Sequence, residues 1–342
     1  MKKSIFVVIP NYNGADWLAA SIDSVLAQTY KDFVLVIVDN GSVDDSRTII
    51  ESYAAKDDRV RPIFRDKNYG FTGGVNPGLE LAIKEDAEFA APFNNDAIAD
   101  KNWLKYLADY LRAHPDYGSA ACKLLHADGK TFDSTGDQYT TWGLAYPRGR
   151  DEQTSNKYDH DTEIFGASGG ASMYRVSMLR QIGVFDQDFF AYYEDIDLSF
   201  RAQLAGWKIA LVPEAIVYHA EGKTSSAMRS GFTTYQYMKN LPMVLVKDVP
   251  SELWWHIAVR FWFSYTLFFG NAVLHGKGWS ALKGCLTAWW LLPKKGRERR
   301  RIQKSRVVTI DYISSMLTHD LPPNAHKLRK LRTLYRRMLG RW

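Results

Sequence analysis

Short apolar runs alternate with amphipathic stretches through the first third of the chain. Ile5-Phe6-Val7-Val8-Ile9 and Phe33-Val34-Leu35-Val36-Ile37-Val38 are apolar at every position. That is the pattern of strands buried on both faces of a parallel sheet. Val60–Phe64 and Glu88–Phe93 read as further strands. Between them, Trp17, Leu18, Ile22, Val25 and Leu26 recur at helical spacing, as do Ile49, Ile50 and Tyr53, then Leu79, Leu81 and Ile83. Trp103, Leu104, Tyr106, Leu107 and Tyr110 predict another helix. Strands alternating with helices give an α/β fold with a mainly parallel central sheet. Each strand ends in a polar turn, so these turns gather on one sheet edge, where open α/β sheets bind ligands.

The pattern then changes. Strand-like pieces at Ser119–Leu125, Ile164–Phe165 and Ala171–Arg175 flank a turn-rich stretch from Asp128 to Asp161, read as an insertion over the sheet edge. The aromatic run Phe189-Phe190-Ala191-Tyr192-Tyr193 precedes a helix opening at Glu194-Asp195-Ile196-Asp197 and closing at the C′ glycine Gly206. Lys208–Val212 and Ile216–His219 read as two strands. From about Ser230 long helices follow: an aromatic piece, Trp254–Leu274, a second apolar piece, Trp279–Leu292, and then a basic run from Lys294. The chain divides into residues 1–225, a catalytic-type α/β unit, and 226–342, a helical, aromatic and basic region.

Charge sharpens that division. Residues 294–342 hold 15 Lys/Arg against 3 Asp/Glu, a net of +12, so the overall +6 leaves residues 1–293 at −6. A basic tail on an acidic body points to an anionic surface, lipid or nucleic acid. Cys122 and Cys285 lie far apart, which suits a reducing compartment. Ile5–Ile9 is too short for a signal-peptide core, so the expected location is cytoplasmic.

The first strand turn, Pro10-Asn11-Tyr12-Asn13-Gly14, is neither a dinucleotide glycine fingerprint nor a Walker loop. Instead, acidic and amide groups end the strands: Asn11, Asn13, Asp39, Asn40, Asn68 and Asn94-Asn95-Asp96. Asp39 suits a base N–H or a ribose hydroxyl, and Tyr12 suits base stacking. A carboxylate at Asp96 suits a hard cation that holds a diphosphate. Each has a plainer reading: Asn13 and Asp39 as turn formers, Asp96 or Asp100 as a helix cap. The Asn68–Gly78 segment reads as a glycine-rich turn ahead of the helix through Leu79, and has glycines enough to bring amides to phosphate.

Taken in order, these motifs resemble glycosyltransferase family 2. The likeness rests on Pro10–Gly14, Val38-Asp39-Asn40-Gly41-Ser42, Asn68–Gly78 and Asn94-Asn95-Asp96. It continues with Phe185-Asp186-x-x-Phe189-Phe190-x-Tyr192-x-Glu194-Asp195-x-Asp197-Leu198, Gly206-Trp207 and Tyr218-His219. It covers roughly residues 4–225 and is nearest to the rhamnosyltransferase-like branch of bacterial surface-polysaccharide synthesis. It implies a GT-A fold, a nucleotide-sugar donor, Mg2+ or Mn2+, and inversion at the anomeric carbon. It places donor contacts at Pro10, Asn11, Tyr12, Asn13, Asp39, Asn68, Gly74 and Asn95. It places metal ligands at Asp96 and His219, and acceptor-side residues at Glu194, Gly169 and Gly170. His219 reads equally as a strand-end histidine bonded to backbone. Pro77 and the proline-free Ala97-Ile98-Ala99 depart from the family pattern.

Glu194, Asp195 and Asp197 are all candidates for the base. Asp197 and Arg201 are four apart and face each other as an ion pair, which leaves Asp195 pointing elsewhere. The family's Glu-Asp motif also assigns the base to Asp195. A sugar-1-phosphate nucleotidyltransferase and a non-catalytic membrane scaffold are the alternatives. The resemblance favours dTDP-rhamnose as donor, with UDP-sugars next, and a lipid-linked glycan as acceptor. Trp254–Leu274 spans about 31 Å as a helix, yet Arg260 lies inside it, and a single span would carry the basic tail outward. The expectation is a peripheral or re-entrant protein on the inner face of the cell membrane, binding anionic lipid rather than nucleic acid. Alternatively, the aromatic helices cover the catalytic unit or form a homodimer.

Overall fold

The computed structural model describes residues 4–219 and 231–321. The boundary expected near residue 225 and the last stretch of the basic tail lie outside the described residues. The strands are β1 (Ile5–Asn11), β2 (Phe33–Asp39), β3 (Val60–Phe64), β4 (Phe89–Pro92), β5 (Ala97–Ala99), β6 (Tyr117–His126), β7 (Phe132–Ser134), β8 (Asp137–Tyr139), β9 (Ala145–Pro147), β10 (Thr162–Glu163), β11 (Met173–Arg175) and β12 (Lys208–His219). The helices are α1 (Ala15–Leu26), α2 (Ser46–Ala54), α3 (Gly70–Lys84), α4 (Trp103–Ala113), α5 (Val176–Ile182), α6 (Glu194–Leu204), α7 (Phe232–Lys247), α8 (Ser251–Leu274), α9 (Gly278–Lys304) and α10 (Ile310–Met316).

The main sheet runs β10-β12-β6-β11-β4-β1-β2-β3. β1–β2, β1–β4, β2–β3 and β12–β6 are parallel, while β11 is antiparallel to both its neighbours. Strand alternation sorts the core. Ile5, Val7 and Ile9 face α1, α2 and α4 through Leu18, Ile22, Ile50, Trp103 and Leu107. Phe6 and Val8 face α3, α5 and α6 through Val75, Leu79, Met178 and Leu198. The result is an α/β/α layering whose strand ends carry the polar turns.

Three elements differ from the sequence reading. The glycine-rich segment expected as a turn is already helical, with α3 starting at Gly70 and holding Pro77 inside it. Its glycines are needed for packing. A Cβ on Gly78 would fall 2.4 Å from Val8 Cγ1, and one on Gly74 would fall 3.0 Å from Pro10 Cβ, so α3 lies closer to β1 than side chains allow. Lys208–Val212 and Ile216–His219 form one strand, with a register shift between Val212 and Ile216 that absorbs Pro213. Ala97-Ile98-Ala99 is a strand, antiparallel to β12 with Ala97 opposite His219. A proline there would remove a donor from the ladder.

The C-terminal helices share a third core with the insertion and α6. Tyr139, Phe165, Phe189, Ile196 and Phe200 pack with Leu241, Val244, Ile257, Phe261 and Leu317. The apolar piece and the basic run expected to be separate are one helix, α9, continuing through Pro293.

Candidate functional site

A cavity of about 380 Å³ opens on the strand-end edge. Its wall brings together Pro10, Asn11, Tyr12, Asn68, Asn95, Asp96, Gly169, Gly170, Glu194, Asp195 and His219, all expected from the sequence. Asn13, Asp39 and Gly74 are not on that wall.

One side of the cavity is a mesh of amides. Asn11, buried at the end of β1, donates from Nδ2 to Asp39 Oδ1 (3.1 Å) and accepts from Asn95 Nδ2 at Oδ1 (2.8 Å). Asn40 Nδ2 donates to Asn68 Oδ1 (3.1 Å) and to the Gly70 carbonyl (2.8 Å), and Asn68 Oδ1 also accepts the Gly70 N–H (2.8 Å). This fixes the first turn of α3 at the cavity. Asp39 stands behind Asn11 and accepts the Ser42 N–H at 3.2 Å. Asn13, with φ of 50°, accepts the Val43 N–H at 2.9 Å. The turn-forming readings of Asn13 and Asp39 therefore describe bonds that exist. Gly74 acts through packing against Pro10.

The opposite side carries charge. The β5–β12 pairing sets His219 beside Asp96, and Nε2 lies 3.0 Å from Asp96 Oδ1. His219 Nδ1 lies 2.8 Å from Asp133 Oδ2, and Arg150 Nη1 holds the other Asp133 oxygen at 2.9 Å. Burial lowers the His219 imidazole, but the two carboxylates outweigh it and push it up to about 10. His219 is thus bonded to side chains, not to backbone. Asp96 is not a helix cap either: α4 starts at Trp103, and Asp100 Oδ1 takes the Asn102 N–H (3.0 Å).

Asp195 sits in the first turn of α6, after a turn with three non-glycine residues at positive φ: Phe190 (65°), Tyr192 (68°) and Tyr193 (71°). Such residues cost on the order of 1–3 kcal/mol each and persist only where neighbours impose them. Burial raises the Asp195 carboxyl, and the amides of Ile196 and Gly169 pull it back. Glu194 and Asp137 are driven further up, by burial first and then by the charge of Asp195. Each has a buried oxygen, Glu194 Oε2 and Asp137 Oδ2, without a hydrogen-bond partner. Asp197 forms the expected pair with Arg201, whose Nη2 lies 2.7 Å away, and Lys247 Nζ approaches its other oxygen at 2.5 Å. That occupation removes Asp197 from the cavity chemistry.

Asp133, Asp137 and Arg150 were missed by sequence reasoning. They lie in the turn-rich insertion, where no spacing marks them. The remaining acidic group, Asp186, Asp188 and Glu298, is engaged by Lys247, Lys294 and Lys295 at 2.5–3.6 Å. It is an ion-pair network rather than a cation site.

Comparison with known proteins agrees with this geometry. Residues 6–183 match the model for glycosyl transferase family 2, and residues 95–293 match that for glycosyl transferase family group 2. An uncharacterized glycosyltransferase of Nostoc is 44% identical over 86 residues, 25% of this chain and 26% of that protein. The chain therefore matches about a quarter of that relative's length. Staphylococcus aureus TarS in complex with UDP-GlcNAc superposes with TM-score 0.56 at 18% identity, covering 88% of this chain and 91% of the other. The mannosyltransferase PcManGT of Pyrobaculum calidifontis, in complex with GDP-Man and Mn2+, gives TM-score 0.52 at 14% identity, covering 89% and 86%. These neighbours share the GT-A fold. With its cavity at the strand ends and more than half its length matched, the chain belongs to glycosyl transferase family 2.

Proposed function

We propose that this chain is an inverting, metal-dependent glycosyltransferase. It would move a sugar from a nucleotide-diphosphate donor to a lipid-linked or polysaccharide acceptor. The observation that carries the reading is one cavity holding a neutral amide mesh on one side and Asp96, His219 and Asp195 on the other. Asn11, Asn68 and Asn95 line the donor side, Tyr12 offers a ring for the base, and Asp39 braces Asn11.

The donor set fits a divalent cation. A carboxylate oxygen of Asp96 and the imidazole nitrogen Nε2 of His219 lie 3.0 Å apart at the cavity, and Asp133 on the far imidazole nitrogen fixes the ring, as carboxylates behind metal-bound histidines do. The mixed nitrogen–oxygen pair favours Mn2+ over Mg2+, which takes mainly oxygen and keeps its waters. When bound there, the ion would neutralise charge on the departing diphosphate. Asp195 takes the proton from the acceptor hydroxyl. Burial lifts all three carboxyls, and Glu194 and Asp137 are lifted well above the ordinary range, with the charge of Asp195 as the next cause in both; carboxyls set apart in this way divide acid and base roles. A base on one side and a leaving group on the other give a single displacement, hence inversion.

The donor panel begins with dTDP-rhamnose, on the motif resemblance, then UDP-GlcNAc and GDP-mannose, after the ligands of the structural neighbours. Release of nucleoside diphosphate with Mn2+ or Mg2+, abolished by EDTA, is the expected result. Equal release with and without EDTA refutes the metal role. No release from any donor, with a folded protein, favours the nucleotidyltransferase or scaffold readings.

Residues 226–342 are proposed as the membrane-facing unit. α8 is the one described helix long and apolar enough to cross a bilayer, but it is not alone in exposing apolar residues. Trp255 (72%), Val259, Trp262 and Phe263 on α8, and Trp279, Leu282, Leu286, Trp289 (70%) and Trp290 (80%) on α9, stand exposed at three-to-four-residue spacing. Two helices with tryptophan faces, the second continuing into the basic run from Lys294, suit the bilayer interface of the inner leaflet. Trp289→Ser with Trp290→Ser is expected to weaken partitioning onto anionic vesicles. Unchanged partitioning, together with a concentration-dependent dimer lost in the variant, assigns the face to a second copy instead.

A further inference from the structure

The turn from Asp186 to Tyr193 leads straight into Asp195, and it is held from outside the α/β layers. Asn240, in the middle of α7, is fully buried. Its Nδ2 lies 3.1 Å from the Phe189 carbonyl, 2.8 Å from that of Ala191 and 2.6 Å from that of Tyr192. The neighbouring Lys239 Nζ donates to the carbonyls of Asp188 (2.8 Å) and Phe189 (3.1 Å). The rings follow the same path. Phe190 and Tyr192 meet Phe232 edge-on or tilted, and Tyr192 and Tyr193 meet Tyr237. On its other side the turn touches the donor wall, where the Phe190 carbonyl accepts the Thr72 N–H at 3.2 Å. A Cβ on Gly70 would fall 2.3 Å from that same oxygen.

An amide group has two N–H bonds, so three carbonyls within reach must share them. That crowding has a cause. Positive φ at 190, 192 and 193 brings the carbonyls of Phe189, Ala191 and Tyr192 to one focus, while that of Phe190 turns to Thr72, and a buried carbonyl without a donor is costly. A side chain donor at that focus stabilises this backbone path over an ordinary extended one. A leucine of equal size would fill the space and leave the Ala191 and Tyr192 carbonyls facing hydrocarbon, while that of Phe189 keeps Lys239 Nζ and the Ala191 N–H.

We propose that Asn240, assisted by Lys239, is a positioning residue for sugar transfer. It fixes the left-handed turn that presents Asp195 to the acceptor hydroxyl, without touching donor or acceptor itself. The proposal rests on the reading of Asp195 as the base. It gives the C-terminal helices a part in catalysis that the motif-bearing segment does not contain.

The test compares Asn240→Leu, Asn240→Gln, Asp195→Asn and the double variant Asn240→Leu/Asp195→Asn in the full chain. Hydrogen exchange read by mass spectrometry reports the turn directly. Amides of residues 188–196 in Asn240→Leu are expected to exchange about tenfold faster, with the β1–β4 amides unchanged. Binding of UDP, GDP and dTDP with Mn2+ should stay within about twofold, while the turnover of whichever panel donor is used falls about tenfold or more. Gln, which keeps the two N–H donors, should recover part of that turnover. In the Asp195→Asn background the leucine change should add little, because both act at one step. Unchanged exchange at 188–196 overturns the proposal, as does a loss of nucleotide binding equal to the loss of turnover. If Asp195→Asn keeps its turnover, the base reading fails by itself and exchange alone judges the clamp. Should Asn240→Leu not fold, Lys239→Met removes the bonds to Asp188 and Phe189 and carries the same comparison.

Discussion

The two walls of the cavity are built on opposite principles. The wall at the ends of β1, β2 and β4 is made of carboxamides that bond to one another: Asn11 with Asn95, Asn40 with Asn68. The wall at β12, the insertion and α6 is made of ionisable groups, and their protonation is displaced: His219 and Asp195 upward, Glu194 and Asp137 far upward, Asp133 downward. Bonds between carboxamides do not titrate, which suits grip on a constant ligand part; the carboxylate of that wall, Asp39, stands behind Asn11. Displaced titrations cluster where protons or cations move. On the proposed reading, recognition belongs to the first wall and chemistry to the second.

The largest expected effect tests what supports the charged wall. Asp197→Asn leaves Lys247 and Arg201 buried with less counter-charge, and should lower stability by about 3–5 kcal/mol. Chemical denaturation of the variant checks it, and a loss under about 1 kcal/mol would place that pair among the weak ones. Asp195→Asn should cost about a hundredfold in turnover, while nucleotide affinity holds. If Glu194→Gln shows that loss instead, the base is its neighbour.

Smaller effects sharpen the comparison. Asp133→Asn removes the support behind His219 and should weaken Mn2+ binding by about 10–100-fold, measured by titration calorimetry. Asn11→Ala breaks the mesh and should cost about 1–3 kcal/mol of stability, with nucleotide affinity lowered and Mn2+ affinity unaffected. The finest test is pH. His219 is raised to about 10 from an ordinary value of about 6.5, so its pairing stabilises the fold fully below pH about 6.5 and is lost as pH climbs toward 10. In EDTA the melting temperature should therefore fall across that window, and in His219→Gln the fall should shrink. A fall of equal size in both would show that His219 is not the titrating group.

Legibility followed the same divide. The amide wall was readable because each residue ends a strand whose apolar run is unmistakable, and its partners lie in neighbouring turns. Asn11, Asn68 and Asn95 sit where β1, the start of α3 and β4 put them. Gly74 and Asp39 were tied to the right wall, but for packing and bracing, which no motif distinguishes from contact. The charged wall depends on residues far apart in sequence. His219 and Asp96 meet only because residues 97–99 form an unforeseen strand against β12. Asp133, Asp137 and Arg150 come from an insertion whose loops carry no period. The Asp197–Arg201 pair was legible, being a local helix spacing, while Lys247 on its other oxygen was not.

The core shared by α6, the insertion and the C-terminal helices also bears on how this chain can be recombined. Phe189, Ile196 and Phe200 pack on Leu241, Val244 and Phe261, and Lys295 of α9 is wholly buried against Asp186. A chimera cut between β12 and α7 would join a foreign helix to a turn that expects Asn240, Lys247 and Lys295. Exchanging the motif-bearing half of such a chain thus means leaving residues 186–204 with the helices, so that the unit of inheritance crosses the boundary the motifs draw.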